Sequence, residues 1–146
     1  MNEKNTNTIP YVEFADNANE RTPCVLVLDC SGSMRGEPIK QLNAGLSALE
    51  KELKEDIDAS SRVQLLIIKA FGKDEVKVTS DWTDAMNFTA PVMEAGGLTP
   101  LGKAMELALQ KIEEQKWLLS RRRIYSGFLF CFWVMKSVFW VFHSKC

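Results

Sequence analysis

One unbroken apolar run, PCVLVLD from Pro23 to Asp29, limits most strongly what this chain can fold into. A strand that is apolar on both faces suits the centre of a parallel sheet, because helices cover such a sheet on each side. The run ends in DCSGSMRGE, a polar segment with two glycines in which a loop is expected. The chain is therefore expected to begin its fold with a central strand that leads into a polar loop.

A long helix is predicted after this loop. It begins near Glu37 and Pro38, since proline suits the first helical turn. Apolar residues then recur every three or four positions and predict a stripe that packs on the sheet. Its members are Ile39, Leu42, Leu46, Leu49, Leu53 and Ile57.

Two strands and a second helix complete the predicted order. The segments 62–70 and 75–79 are strand-like, and the short connection between them predicts an antiparallel hairpin. A long irregular stretch from Ser80 leads to a helix that begins at Pro100, with Thr99 in the capping position. The apolar face of this helix is predicted to hold Leu101, Ala104, Met105, Ala108, Leu109 and Ile112. This order predicts an α/β fold with a doubly wound, Rossmann-like open sheet, mostly parallel, with one antiparallel edge hairpin.

Composition divides the chain into three parts. A length of 146 residues, 46% of them apolar, suits one globular core. We expect a polar lead-in over 1–20, an α/β domain over 21–120 and a tail over 121–146. The tail holds five basic residues, no acidic residue and eight of the fourteen aromatic residues. The remainder is acidic, which argues against an extended basic face for nucleic acid.

Three explanations of the tail stay open. A frameshift or truncation after about residue 115 would account for the abrupt change in composition. A membrane segment over Ile124 to Phe142 has nearly the required length, although Lys136 lies within it. A divergent but native pair of strands that caps the sheet is the third explanation.

Oxygen-bearing side chains mark the loop after the first strand. Asp29, Ser31 and Ser33 place a carboxylate and two hydroxyls at alternate positions, and Thr99 adds a hydroxyl before the second helix. In open α/β sheets ligands bind beyond the carboxyl ends of the strands, where both segments are expected. Oxygen donors of this kind suit Mg²⁺ or Mn²⁺. Turn formation and helix capping by the same residues are the alternative.

The pattern D-x-S-x-S at Asp29, together with GGLTPLG around Thr99, resembles the von Willebrand factor A domain and its metal-ion-dependent adhesion site (MIDAS). The likeness runs from about Arg21 to Lys116 and is greatest to bacterial A-domain proteins of the tellurium-resistance Y type. It implies a Mg²⁺, or Mn²⁺ in its place, held by the hydroxyls of Ser31 and Ser33 and, directly or through water, by Asp29 and Thr99. A remaining position would accept an Asp or Glu of a partner protein.

The chain departs from this family in one respect. The family carries a further aspartate after its fourth strand, in a motif such as T-D-G or S-D-G, and no acidic residue follows Glu114 here. The resemblance then implies weakened metal affinity and a domain whose last part is missing or replaced.

The resemblance implies a non-enzymatic, metal-dependent protein-binding module of bacterial stress or tellurite-resistance systems. Alternatives are a non-functional truncated product, a tail-anchored membrane protein and, with less support, a metal-dependent phosphohydrolase. Phosphohydrolases of this kind carry a second carboxylate two residues after the first, where Ser31 stands. A serine hydrolase would need a base, and the one histidine is His143, in the tail.

The expected compartment follows from the cysteines and the first residues. Cys24 and Cys30 read as small buried apolar residues, and no metal-finger spacing occurs. The polar sequence MNEKNTNTIP does not resemble a signal peptide. A cytoplasmic location is expected, with membrane attachment if the tail inserts.

Overall fold

The computed structural model describes residues 19–71, 75–122, 125, 127–134 and 137–144. Most of the polar lead-in, residues 1–18, lies outside the described residues. The described elements are β1 (Thr22–Asp29), α1 (Glu37–Glu55), α2 (Ile57–Arg62), β2 (Val63–Phe71), β3 (Glu75–Asp84), α3 (Leu101–Arg121), β4 (Gly127–Val134) and β5 (Ser137–Ser144). Short 3₁₀ turns lie at Gly32–Met34 and Ala85–Asn87.

The strands form a mixed sheet in the order β3-β2-β1-β4-β5. β1 lies at the centre and pairs in parallel with β2 on one side and with β4 on the other. β3 pairs antiparallel with β2, as the predicted hairpin requires, and β5 pairs antiparallel with β4. The prediction of a mostly parallel sheet with one antiparallel edge is therefore wrong in detail, since each edge carries an antiparallel pair.

Both faces of β1 are covered by helix. Alternate residues of the strand pack with Leu42 and Leu46 of α1 on one face and with Ala104 and Ala108 of α3 on the other. Burial on both sides explains why this strand is apolar throughout, because each side chain meets a helix whichever way it points. The α/β class predicted from the sequence is confirmed.

Three local predictions need correction. Ile57 does not extend the stripe of α1, because the helix ends at Glu55 and Ile57 is 83% exposed at the start of α2. Leu101 and Leu109 of α3 are 37% and 55% exposed, so they lie outside the face that Ala108 and Ile112 bury. β3 continues to Asp84, five residues beyond the predicted end at Thr79, and so shortens the irregular stretch. In each case tertiary pairing or packing overrides the local pattern.

The tail contributes backbone to the sheet. β4 and β5 have eight residues each and lie side by side next to β1. No helix in the described part of the chain is long and apolar enough to cross a membrane. The three explanations of the tail stay predictions, as do the domain bounds.

A buried polar network ties the sheet together at the amino end of β1. Arg21 is fully buried and donates to Asp84 Oδ1 at 3.0 Å, and Gln64 Nε2 donates to the same oxygen at 3.0 Å. Gln115 of α3 donates to Gln64 Oε1 at 2.8 Å. The network joins the start of β1 to β2, β3 and α3. Loss of the Asp84 carboxylate would leave the buried Arg21 charge without this partner, at a cost of about 3 to 5 kcal/mol. The network lies at the opposite end of the sheet from Asp29.

Candidate functional site

The carboxyl end of β1 lies where the chain changes direction across the sheet. After β1 the chain passes along α1 to β2 on one side, and α3 later returns it to β4 on the other side. Connections that leave in opposite directions open a crevice between neighbouring strand ends, which is where ligands bind in such sheets. Asp29, the last residue of β1, occupies this position and is 1% exposed.

Two loops meet at this crevice through backbone hydrogen bonds. Gly32 N donates to Gly97 O at 2.7 Å, and Gly96 N donates to Cys30 O at 2.8 Å. A Cβ at Gly32 would lie 3.3 Å from Gly97 O, which is a tight contact with backbone. Gly97 itself has φ +73°, a conformation that glycine adopts without strain. The glycines therefore allow the loop after β1 and the loop before α3 to touch.

The contact brings the four predicted site residues into one cluster. Asp29 Oδ1 accepts the Ser31 backbone N–H at 2.9 Å and the Thr99 hydroxyl at 3.1 Å. The hydroxyl oxygens of Ser31 and Ser33 lie 2.9 Å apart. Asp29 and Thr99, which are 70 positions apart in the chain, are thus joined by a hydrogen bond. The bond from Ser31 N is the turn chemistry of the alternative interpretation, and the bond from Thr99 goes beyond it.

Thr99 does not cap the helix that follows it. The N-cap residue of α3 is Pro100, which makes no side-chain capping bond, and Leu101 N donates to the Thr99 backbone carbonyl at 2.9 Å. The prediction of a Thr99 side-chain cap is therefore wrong. The hydroxyl points to Asp29 because the glycine contacts bring the loop across to β1.

The second carboxylate oxygen of Asp29 is the unusual atom of the cluster. Oδ2 is buried and has no hydrogen-bond partner among the residues that the structure describes. A buried polar atom without a partner costs about 1 to 3 kcal/mol, and more when it is charged. A cation beside this oxygen would remove the cost. The residues present therefore fit Mg²⁺ or Mn²⁺, with Asp29 supplying a carboxylate and Ser31, Ser33 and Thr99 supplying hydroxyls.

Cys30 lies between these residues without sharing their chemistry. Burial raises the pKa of its thiol to about 11, against the opposing effect of the Lys69 ammonium. The side chain stays a neutral thiol at neutral pH and packs in the core on the α1 face. Its burial, like that of Cys24, is as predicted.

Sequence reasoning missed two residues that hold the loop before α3. Asn43 of α1 donates from Nδ2 to Met93 O and accepts at Oδ1 from Met93 N, at 2.9 and 2.7 Å. Glu50 Oε2 accepts the Ala90 N–H at 2.8 Å. Asn43 and Glu50 are seven residues apart and so lie on one face of α1, beside the buried stripe. Polar residues at this spacing next to an apolar stripe are the signal that could have found them.

A groove of about 650 Å³ lies elsewhere, between β3 and α3. Its lining includes Trp82, Trp117 and the carboxylates of Glu113 and Glu114. Glu114 forms an ion pair with Lys111, and Glu113 forms one with Lys116. The groove does not include any of the four clustered residues.

His143 is also far from the cluster. In the register of β5 with β4 it stands opposite Phe128, while Leu129 stands opposite Cys24 near the amino end of β1. Six residues of strand, about 20 Å, separate that end of β1 from Asp29. His143 therefore lies at the wrong end of the sheet to act as a base for Ser31 or Ser33.

The fold and the cluster together define an α/β domain with one carboxylate and three hydroxyls at the carboxyl end of its central strand. No protein-family model and no curated protein matches this chain. The likeness to von Willebrand factor A domains therefore stays a prediction from the sequence. Among the described residues, no group of three or more His, Cys, Asp or Glu is arranged to hold a metal ion. That finding concerns a different kind of site, because the predicted one has a single carboxylate.

Proposed function

We propose that this chain is a metal-ion-dependent protein-binding module with a MIDAS-type site, in a doubly wound, Rossmann-like sheet of von Willebrand factor A type. The observation that carries the proposal is the arrangement around Asp29. One of its carboxylate oxygens accepts from Ser31 and Thr99, while the other is buried without a partner in the described part of the chain. A purely structural aspartate would be expected to have both oxygens satisfied.

The donor set supports a site that is open to a further ligand. Mg²⁺ takes six oxygens in octahedral geometry, and Asp29 with three hydroxyls provides four when the carboxylate binds through one oxygen. A bound divalent ion supplies a concentrated positive charge, of which the single carboxylate neutralises half. A carboxylate from another protein therefore gains a strong, charge-assisted interaction at a remaining position. The ion serves recognition in this proposal, and the partner presents an Asp or Glu.

The cluster in the described residues holds one carboxylate, that of Asp29. A second protein carboxylate would raise metal affinity but would also neutralise the charge that attracts the partner. Without it, the ion is held more weakly alone and more tightly when a partner carboxylate is present. Metal and partner are then expected to bind cooperatively.

The geometry favours binding over catalysis. A phosphohydrolase nucleophile must reach its substrate, whereas Asp29 is 1% exposed and already accepts two hydrogen bonds. The position of a second acid-base carboxylate is held by Ser31. We accordingly propose no enzymatic activity. A cytoplasmic role in a bacterial stress or tellurite-resistance system is the setting that the resemblance suggests.

The test is whether a foreign carboxylate enters the coordination shell. The full chain is loaded with Mn²⁺ and mixed with acetate labelled with ¹³C at the carboxylate, and pulsed electron–nuclear double resonance is recorded. We expect a ¹³C coupling from directly bound acetate that exceeds the coupling of free Mn²⁺ in the same buffer. Asp29→Ala and Ser31→Ala, which each remove a ligand, are expected to return the spectrum to that of free Mn²⁺.

Two results would contradict the proposal in different ways. No uptake of Mn²⁺ by the folded wild-type chain would remove the metal site. Uptake of Mn²⁺ with water as the only added ligand would leave a metal site but remove the position for a partner.

A further inference from the structure

We propose that Asn43 is a positioning residue for the metal site. Its side-chain amide fixes the irregular stretch that precedes α3, so that the Thr99 hydroxyl stands beside Asp29. This inference rests on the proposed function, because it concerns the affinity of the same site for its ion.

Two hydrogen bonds join the Asn43 side-chain amide to the backbone of Met93, and we call this contact the clamp. Asn43 receives the Met93 N–H at 2.7 Å and donates to the Met93 carbonyl at 2.9 Å. Two opposed hydrogen bonds set both the position and the orientation of the Met93 backbone, which a single bond does not do. The Met93 side chain is 2% exposed and packs in the core on the α1 face, so backbone and side chain are anchored together.

The stretch depends on such anchors because it lacks regular structure. Residues 88–100 contain no helix or strand. A loop of this length in a compact domain is commonly functional. Thr99 follows Met93 by six positions, a span that can reach about 20 Å when extended. Chain length alone therefore leaves the Thr99 hydroxyl free to lie far from Asp29.

The glycine pair between the clamp and Thr99 increases that freedom. Gly96 and Gly97 are joined to the β1 loop by backbone bonds alone, and glycine has more accessible conformations than other residues. With the clamp in place, the stretch is held at Met93, before the two glycines, and at Thr99, after them. Without it, the upstream side is held only by the Glu50–Ala90 bond and the buried Met93 side chain among the contacts described, and the arrangement with Thr99 at Asp29 is expected to become one of several.

The consequence for metal binding can be estimated. A ligand's apparent Kd rises in inverse proportion to the fraction of molecules in the competent arrangement. If that fraction falls to about one tenth, the Kd for Mg²⁺ rises about tenfold. Loss of outer-shell support at metal sites commonly has an effect of this size, on the order of 10- to 100-fold.

The experiment is a calorimetric titration of the full chain with Mg²⁺, at a temperature well below the unfolding midpoint of every variant. Asn43→Ala is expected to raise the Kd about tenfold. Gln41→Ala removes an exposed amide from the same helix and is expected to leave the Kd within about twofold of wild type. Asn43→Asp retains an acceptor for Met93 N–H but loses the donor, so its Kd is expected between the wild-type and Asn43→Ala values.

Unfolding midpoints measured in chelator separate positioning from simple stabilisation. A merely structural clamp would lower the midpoint of Asn43→Ala and leave the Kd of the folded protein unchanged, and that result would overturn the inference. If Asn43→Ala does not fold, the Kd of Asn43→Asp decides in the same way. Failure of wild type to bind Mg²⁺ would overturn the proposed function and this inference together, whereas equal affinities in wild type and variant overturn only the inference.

Discussion

At the scale of single residues, Asp29 connects the sequence motif to the proposed chemistry. Its position after an apolar strand predicts a place at the sheet edge, and the D-x-S-x-S spacing indicates two further oxygen donors beside it. The unpartnered oxygen is a property that no spacing could predict, because it depends on what the surrounding loops leave unsatisfied. The motif and the buried, unpartnered oxygen point to the same residue.

The hydroxyl of Thr99 is expected to contribute to stability even without metal. Thr99→Val keeps the shape of the side chain but removes the donor to Asp29 Oδ1. Because that oxygen still accepts from Ser31, we expect a loss of about 1 kcal/mol in the free energy of unfolding. Chemical denaturation in chelator measures this loss, and Thr99→Ser is the control that retains the hydroxyl. Equal stability of all three proteins would show that the bond contributes nothing.

At the scale of elements, periodicity predicted α1, α3 and the central strands, because burial of one helix face or both strand faces leaves a regular pattern. It failed where contacts between distant segments decide the structure. The pattern continued to Ile57, but the helix stops at Glu55 and a new turn begins, with Asp56 accepting from Ala59 N. Thr99 looked like a helix cap because local sequence cannot show that the glycine contacts bring its loop to β1.

Glu50 offers a test of how α1 holds the irregular stretch. Hydrogen bonds from Lys54 and from the Ala90 N–H lower the pKa of its carboxyl. A carboxyl whose pKa is lowered on folding stabilises the protein above its unfolded pKa of about 4.3, and the stabilisation is lost as the pH falls through the folded pKa. Wild type is therefore expected to lose more unfolding free energy on acidification than Glu50→Gln, which cannot titrate at this position.

The measurement is the free energy of unfolding by denaturant at several pH values between about 6 and 3. Glu55→Gln serves as the matched control, since Glu55 is an exposed carboxyl on the same helix whose ion pair is with Lys51. It is expected to follow wild type. Parallel pH curves for wild type and Glu50→Gln would show that the hydrogen bonds from Lys54 and Ala90 do not stabilise the charged carboxyl.

At the scale of the whole molecule, the sheet has the proposed metal site at one end and a buried polar network at the other. The buried network of Arg21, Asp84, Gln64 and Gln115 ties strands and helix together at one end, and the cluster at Asp29 lies at the other. The sequence predicted the α/β class because the alternation of strands and helices is local information. It left three explanations of the tail open, because which strand pairs with β1 is decided by packing between distant segments rather than by composition.

The most direct test of the account is a calorimetric titration of the full, folded chain with Mg²⁺, and with Mn²⁺ in a second series. Wild type is expected to bind one ion per chain. Asp29→Asn, which keeps the size of the side chain but removes its charge, is expected to show no measurable uptake. Absence of binding heat in wild type, or equal binding by wild type and Asp29→Asn, would contradict the claim that this carboxylate and its three hydroxyl neighbours hold a divalent ion.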